Sequence, residues 1–402
     1  MKKRVVLRAV RSINPGAAAL VAGLFLMAGA IALQATHADT GGVSSEAENG
    51  TIAGNAQKFT GIAGASGGGI VTFKSGGGGG GGGGDGVCAP PTKLDGCQPG
   101  PNDLYTATDG STNYFRSLIP ANPKLDPNSS SIVGSIGGNT PKLNGPDWQI
   151  TIYTSSNSDP EYNPSFSQSS WGCSVGGSIH IPDYATREVP SPGDEWVVVY
   201  NKDDKTIKSI WGASKSGGKW NGSCGGTWPA SGGGGTDSKK EGVGTGAEVQ
   251  ASAGFILNSE VASGAINHAL YFTSTNSCGS FRAPAGKSDG NGGGSSCAPM
   301  GARIQLDPSV DCNGIGGSAG EKMICVTMQK YGGYILDSGG PGPISGIGVA
   351  GDDMTDPSRS PWQKPGNGMR SGGVFDKVGL GPDGLDAIPW NKLRVLSSWN
   401  GQ

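Results

Sequence analysis

Eight cysteines, Cys88, Cys97, Cys173, Cys224, Cys278, Cys297, Cys312 and Cys325, all lie downstream of an N-terminal stretch with the pattern of an export signal. An even count in a chain that leaves the cytosol reads as a disulfide framework, and such a framework restricts how the body can fold. Short loops between neighbours favour sequential pairing, 88–97, 173–224, 278–297 and 312–325. There is no Cys-x-x-Cys pair, and the histidines are not near the cysteines, so no zinc site is expected.

The export pattern itself is plain. Lys2, Lys3, Arg4, Arg8 and Arg11 form a basic flank, residues 16–33 are uncharged and largely apolar, and Ala35 and Ala38 offer small-residue exits. Residues 1–38 therefore read as a signal peptide or, if left uncleaved, as a membrane anchor. The expected location is outside the cell or on the extracellular face of its envelope. Beyond residue 38, 25 basic residues face 32 acidic ones, a net charge of −7. Without a basic stripe, phosphate neutralisation has nothing to work with, so nucleic acid is not an expected partner.

Glycine supplies 75 of the 402 residues, nine of them in the unbroken tract Gly76–Gly84. Such a tract is a linker, spanning residues 76–86, between a short segment at 39–75 and a main domain at 87–402. In the main domain, residues 88–143 are rich in Pro, Gly, Asn and Asp and read as irregular. Trp148, Ile150 and Ile152 alternate on one face of a strand, and residues 195–211 read as a hairpin turning at Asp203–Lys205. Further strands are expected at 254–257, 266–273, 303–307, 334–337 and 393–397. One helix stands out at about 319–331. Ser318 and Glu321 form a capping box, Ile324, Met328 and Tyr331 recur at helical spacing, and Gly332 follows at the C-terminal cap. Many strands with a lone packed helix predict a mainly β domain, a β-sandwich or jelly roll stapled by disulfides.

Several residues could carry chemistry. His268 is placed on a strand face with Ile266, Leu270 and Phe272, where it serves either as a base near neutral pH or as a hydrogen-bonded core histidine. Arg282 and Asp289 follow in a loop and could hold a carboxylate or a sugar hydroxyl pair, or pair with each other. Asp337 ends a strand, where it suits general-acid work or an Asx turn. His180 lies beside Asp183 and Tyr184, a grouping that can serve proton abstraction in a polysaccharide lyase; Tyr331 is a further candidate ligand contact. Asp194, Glu195 and Asp307 are further carboxyls, with no spacing that identifies a pair for glycoside hydrolysis. Trp171, Trp220 and Trp228 lie in Gly/Ser-rich stretches and are the candidates for stacking on sugar rings, whereas Trp148, Trp196 and Trp211 read as core. The nucleophile-elbow, metalloprotease and phosphate-loop motifs are absent, and no cofactor is expected.

Two resemblances add to this reading. Glu46, Ala47, Glu48 and Gly50, followed by Ala65, Ser66, Gly67, Gly68, Val71 and Phe73, resemble the opening of a β-sandwich carbohydrate-binding module. The likeness covers about thirty residues and omits that family's sugar-contacting loops, and the remaining oxygen ligands for its structural calcium are missing too. The segments GAINHAL, FRAPAGKSDG, GARIQLDPS and YGGYILDSGG, with residues 119–133 and 193–211, resemble a family of secreted bacterial β-rich proteins of unassigned reaction. That family commonly has His where this chain has Trp196. The resemblances imply an exported or surface-tethered protein whose partner is an extracellular polysaccharide or cell-wall glycan. It would be a lyase or glycoside hydrolase, or alternatively a non-catalytic adhesin-like binder. A membrane would be engaged only through an uncleaved N-terminal segment.

Overall fold

The computed structural model describes residues 99–105, 113–143, 150–183, 185, 194–230, 244–340, 342–351, 375–381 and 383–402, together with the strands Ala56–Thr60 and Gly69–Phe73. The export segment, the glycine tract, Cys88, Cys97, Trp148 and Tyr184 lie outside the described residues. The chain divides into two compact units, 1–78 and 79–402. In the first, the strands Ala56–Thr60 and Gly69–Phe73 pair antiparallel.

The second unit is β-rich, with strands in several sheets. Four helices lie among the described residues: α1 (Pro101–Leu104), α2 (Ser129–Ile136), α3 (Asn258–Ser263) and α4 (Ala319–Lys330). Two six-stranded sheets dominate. In chain order their strands are β1 (Lys142–Leu143), β2 (Ile150–Ser155), β3 (Val197–Asn201), β4 (Thr206–Trp211), β5 (Cys224–Pro229) and β6 (Ile256–Leu257). These are followed by β7 (Leu270–Thr273), β8 (Arg303–Leu306), β9 (Gly333–Asp337), β10 (Gly346–Ile347), β11 (Val349–Gly351) and β12 (Leu393–Val395). One sheet runs β5-β4-β3-β2-β11-β6, the other β12-β8-β9-β7-β10-β1.

The β3–β4 hairpin forms as its sequence requires, with Asn201 opposite Thr206 and Lys205 at φ +56° in the turn. Hairpins alone do not describe the sheets. β2 runs parallel to β3 and to β11, and β7 runs parallel to β9. Parallel neighbours need long crossovers, and the β7-to-β9 connection carries β8 and α4. β3 is buried along its whole length. Val198 and Tyr200 enter the main core while Val197 and Val199 face a second cluster with Val175, Ile179 and Ile181. This is why its sequence is a continuous apolar run rather than an alternation.

The two sheets meet at Gly348. Its N–H donates to Tyr271 O at 3.3 Å and its carbonyl accepts from Ile256 N at 2.9 Å, so the chain passes from β10 in one sheet to β11 in the other. Both sheets contribute to one apolar core, through Ile150, Ile152 and Ile207 on one side and Leu270, Phe272, Ile304 and Ile335 on the other.

Two expectations are corrected. Residues 88–143 are not simply irregular: α1, α2 and the core residues Leu104, Tyr105, Phe115, Ile132 and Ile136 all fall there. Nor is α4 the lone helix, although it is the longest and the best capped. Ser318 Oγ accepts from Glu321 N at 3.1 Å, and Glu321 Oε2 accepts from Ser318 N at 2.8 Å. Gly332 follows at φ +64°, where a side chain would strike Ile304 O. Disulfides join Cys173–Cys224, Cys278–Cys297 and Cys312–Cys325, the pairing of sequence neighbours. Three such bonds are typical of an oxidising compartment. No helix among the described residues is long and apolar enough to cross a membrane.

Arg303 ties these parts together. It is 0 % exposed and the largest fully buried side chain. Nε donates to Tyr331 O at 2.9 Å, Nη1 to Trp399 O at 2.6 Å and Nη2 to Ser117 O at 2.6 Å. The guanidinium lies 5.3 Å from the centroid of the Tyr334 ring. Burial lowers its pKa, and carbonyl dipoles with a π face stand in for a counter-ion. Arg303→Met should cost roughly 3 kcal/mol or more, since three buried carbonyls lose their charged donor. Urea unfolding measures this, and a loss below about 1 kcal/mol would show that the carbonyls find other donors.

Candidate active site

Asp337 closes β9, beside β7 in the same sheet. Tyr271, on β7, alternates away from Leu270 and Phe272, and its hydroxyl donates to Asp337 Oδ2 at 3.2 Å. The same oxygen accepts from Gly246 N at 3.1 Å. Gly246 belongs to a loop held against the end of β9 by Ala247 N to Leu336 O, 2.9 Å, and against the following loop by Gly286 N to Ala247 O, 2.8 Å. Asp337 makes no Asx turn among the described hydrogen bonds.

Asp289 arrives from the loop that the Cys278–Cys297 disulfide closes. Ser288 Oγ donates to Cys278 O at 2.6 Å and accepts from Gly290 N at 3.0 Å, which fixes the loop on both sides of Asp289. Asp289 Oδ1 accepts from Ser338 N at 3.2 Å, and Gly246, whose N–H reaches Asp337 Oδ2, lies against the Asp289 carboxyl, so the two carboxyls flank one residue. The approach is close: a Cβ on Gly246 would lie 2.5 Å from Asp289 Cγ, so a side chain there would have to push the Asp289 carboxyl aside. Asp289 is exposed and Asp337 half-buried, so the pair opens to solvent on the Asp289 side.

Asp194 completes the cluster. It precedes Glu195, a non-glycine residue at φ +52°, and takes hydrogen bonds from the side chains of Trp211 and Trp196. Burial raises its pKa, and it acts electrostatically on both Asp337 and Tyr271. Burial first, then the Asp289 carboxylate, pushes the Asp337 carboxyl up to about 8. Burial and Asp337 raise the Tyr271 hydroxyl well above its usual value, so it remains a donor. A carboxyl that keeps its proton near neutral pH, with a second carboxyl beside it, can work as an acid–base pair. Glu248, in the Gly246 loop, also sits at positive φ, +63°. Of the three non-glycine residues with positive φ among the described residues, two thus flank this site, as strained backbone often does.

The other candidates lie elsewhere. His268 precedes β7 rather than riding on it, and is 0 % exposed. Nε2 bonds Glu260 Oε2 at 2.9 Å, Nδ1 bonds Ala269 O at 2.9 Å, and the Tyr105 ring lies 5.0 Å away. It is the hydrogen-bonded core histidine, with no route to a ligand. Arg282 makes no fork with Asp289. It donates to Asp126 Oδ2 at 2.7 Å and to Leu396 O at 2.6 Å. His180 Nδ1 bonds Asp159 O at 2.8 Å, in a strand paired with Glu161. Tyr331 caps α4, half-buried against the main core.

Trp220 and Trp228 are corrected from loop to strand and are 2 % and 5 % exposed, too buried to stack on a sugar. Trp171 ends a short 3₁₀ turn and is half-buried. Trp196 and Trp211, expected as core, are half-buried and hydrogen-bond Asp194. The sequence reading missed Tyr271 and Gly246. The period-2 alternation that placed Leu270 and Phe272 inside puts Tyr271 on the other face, the one signal that could have found it. No cluster of three or more metal-ligating side chains suited to an ion occurs among the described residues. Comparison with protein-family models, with curated proteins and with solved structures finds no match to this chain.

The buried His268–Glu260 pair has a pH signature. Burial alone would lower the imidazole pKa, but the Glu260 carboxylate and the hydrogen bonds outweigh it and raise it. A raised folded-state pKa gives stability that is whole below the unfolded value of about 6.5 and fades as pH rises through the folded value. His268→Ala should therefore cost roughly 3–5 kcal/mol at pH 6 and less at pH 9. Denaturant titrations at the two pH values decide this, and a pH-independent cost would mean the imidazole is neutral throughout.

Proposed function

We propose that this is an exported protein acting on extracellular polysaccharide by glycoside hydrolysis, with two sheets sharing a core in sandwich fashion as its frame. The observation that carries this reading is the Asp289–Asp337 pair on either side of Gly246, with the Asp337 carboxyl raised enough to hold a proton near neutral pH. The expected export, the fragment resembling a carbohydrate-binding module and the half-buried indoles of Trp196 and Trp211 beside Asp194 support a sugar as the ligand.

In this reading Asp337 is the acid and Asp289 the nucleophile. Asp289 attacks the anomeric carbon while Asp337 delivers its proton to the departing glycosidic oxygen, so one C–O bond forms as the other breaks. Water then enters, gives its proton to Asp337, and displaces Asp289 with its oxygen. Retaining enzymes hold their two carboxyls ~5–5.5 Å apart and inverting ones ~6.5–9.5 Å; carboxyls that flank the single residue Gly246 suit the shorter spacing. Hydrolysis fits better than uronate elimination. The Asp289 carboxylate, with Asp194 near by, would repel a uronate carboxylate, and Arg282, the cation expected to receive it, is held by Asp126.

A polysaccharide panel scored for reducing-end release tests the reading. Asp337→Asn and Asp289→Asn should each lose about 10²-fold or more, and the first-formed product should keep its anomeric configuration. Silence across the panel with retention on an insoluble glycan would instead favour a binding protein. Unsaturated uronate product would make it a lyase. Gly246→Ala should lower turnover by forcing Asp289 away from Asp337, and unchanged turnover would show that the pair need not touch.

A further inference from the structure

We propose that Tyr271 is a positioning residue of this site: with the Gly246 amide it occupies Oδ2 of Asp337, leaving Oδ1 as the atom that shares a proton with Asp289. The inference rests on reading Asp289 and Asp337 as the reacting pair.

The donors sort the oxygens. Asp337 Oδ2 accepts from Tyr271 Oη at 3.2 Å and from Gly246 N at 3.1 Å. An oxygen accepting two hydrogen bonds is the wrong place for the proton, because both donors would then face an O–H. Across the gap, Asp289 Oδ1 accepts from Ser338 N, which leaves its Oδ2 for the shared proton. The assignment gives each carboxyl one anchored oxygen and one reacting oxygen.

Tyr271 is suited to this task because it cannot move. Its N–H donates to Gly254 O at 2.9 Å and its carbonyl accepts from Gly348 N at 3.3 Å. Its ring lies 4.8 Å from that of Phe255. Strand and ring contacts therefore fix the hydroxyl from behind. The ionisable groups facing Asp337 are Asp289 from the disulfide-closed loop, Asp194 from the segment before β3, and the Tyr271 hydroxyl from β7. No cation is among the main groups acting on Asp337. Two neutral donors, Tyr271 Oη and Gly246 N, steady the ionised form of Asp337. Without Tyr271 the proton could sit on either oxygen, and the half aimed at Gly246 would be useless to a leaving group.

The test uses the full chain without substrate, ¹³C-labelled at aspartate carboxyl carbons, with Asp337→Asn assigning the resonance. Tyr271→Phe keeps the ring and removes one donor to the carboxylate. The Asp337 titration should move upward by about half to one pH unit. Asp289→Asn should move it downward, since a like charge and a shared hydrogen bond are lost. If Asp289→Asn moves Asp337 as stated and Tyr271→Phe does not, the positioning role is overturned and the pair survives. If Asp289→Asn leaves Asp337 unmoved, the pair itself is overturned. Should Tyr271→Phe fail to fold, the wild-type Tyr271 hydroxyl proton answers instead. Its resonance should follow the Asp337 titration, and a flat trace overturns the role. On a hydrolysed substrate, Tyr271→Phe should lower kcat with KM unchanged and carry the alkaline limb of kcat upward. A purely structural role would leave that limb in place.

Discussion

The buried guanidinium of Arg303 is the constraint on which the main domain depends. It starts on β8 and reaches three separated stretches of chain: Ser117 before the first sheet, Tyr331 at the end of α4, and Trp399 near the C-terminus. A fully buried cation with no carboxylate partner costs several kcal/mol of desolvation unless its donors are all met. Here carbonyl oxygens meet them, and one of those carbonyls belongs to the negative end of the α4 dipole. The Tyr334 ring, whose hydroxyl donates to Tyr114 O at 2.8 Å, covers the remaining face. Because all these partners must be in place together, the N-terminal segment, the helix and the C-terminus close around β8 and β9 as one cooperative unit.

That closure sets where the carboxyl pair can form. β9 runs from the Arg303 side at Tyr334 to Asp337 at its far end, so a single strand links the most buried charge to the candidate site. Three loops then converge on the strand end: the Gly246 loop, the disulfide-closed Asp289 loop, and the Asp194 segment entering β3. None of them is positioned by its own secondary structure. Each is held by backbone hydrogen bonds to the others, by a disulfide, or by two indoles, and backbone strain at Glu195 and Glu248 is the local cost of bringing them so close. The His268–Glu260 pair plays a different part. Glu260 accepts from Leu257 N at 3.2 Å at the start of α3 and holds the imidazole, joining a helix cap to the core under β7.

Local patterns in the sequence carried much of this. The Ser318–Glu321 capping box and Gly332 delimit α4 because their partners are three or four residues away. The β3–β4 hairpin is written in one continuous β-branched run and its turn. Cys278–Cys297 and Cys312–Cys325 join residues 19 and 13 positions apart, loops that close at low entropic cost, whereas Cys173–Cys224 spans 51 and owes its meeting to the fold. At Asp289 and Asp337 the residues were legible as candidates but their partnership was not: 48 positions separate them, and Arg282 was nearer in sequence to Asp289 than its actual partner. The tryptophans went the other way. Trp220 and Trp228 lie in glycine-rich stretches that nonetheless form strands, because the strand Ser214–Ser216 pairs with Lys219–Gly222 and β4 with β5, partners that local propensity does not register.

The sequence by itself determined a mainly β body, its one long helix and its central hairpin, since each depends on contacts between residues close along the chain, and a count of thiols pointed to disulfides without fixing which cysteines join. Tertiary structure alone decided the parallel pairings of β2, β7 and β9, the burial of Arg303 and His268, and the meeting of Asp194, Asp289 and Asp337 under Tyr271. Those features arise where segments distant in sequence are brought side by side. There, the charge state of a carboxyl and the exposure of an indole are properties of neighbours that no stretch of sequence contains.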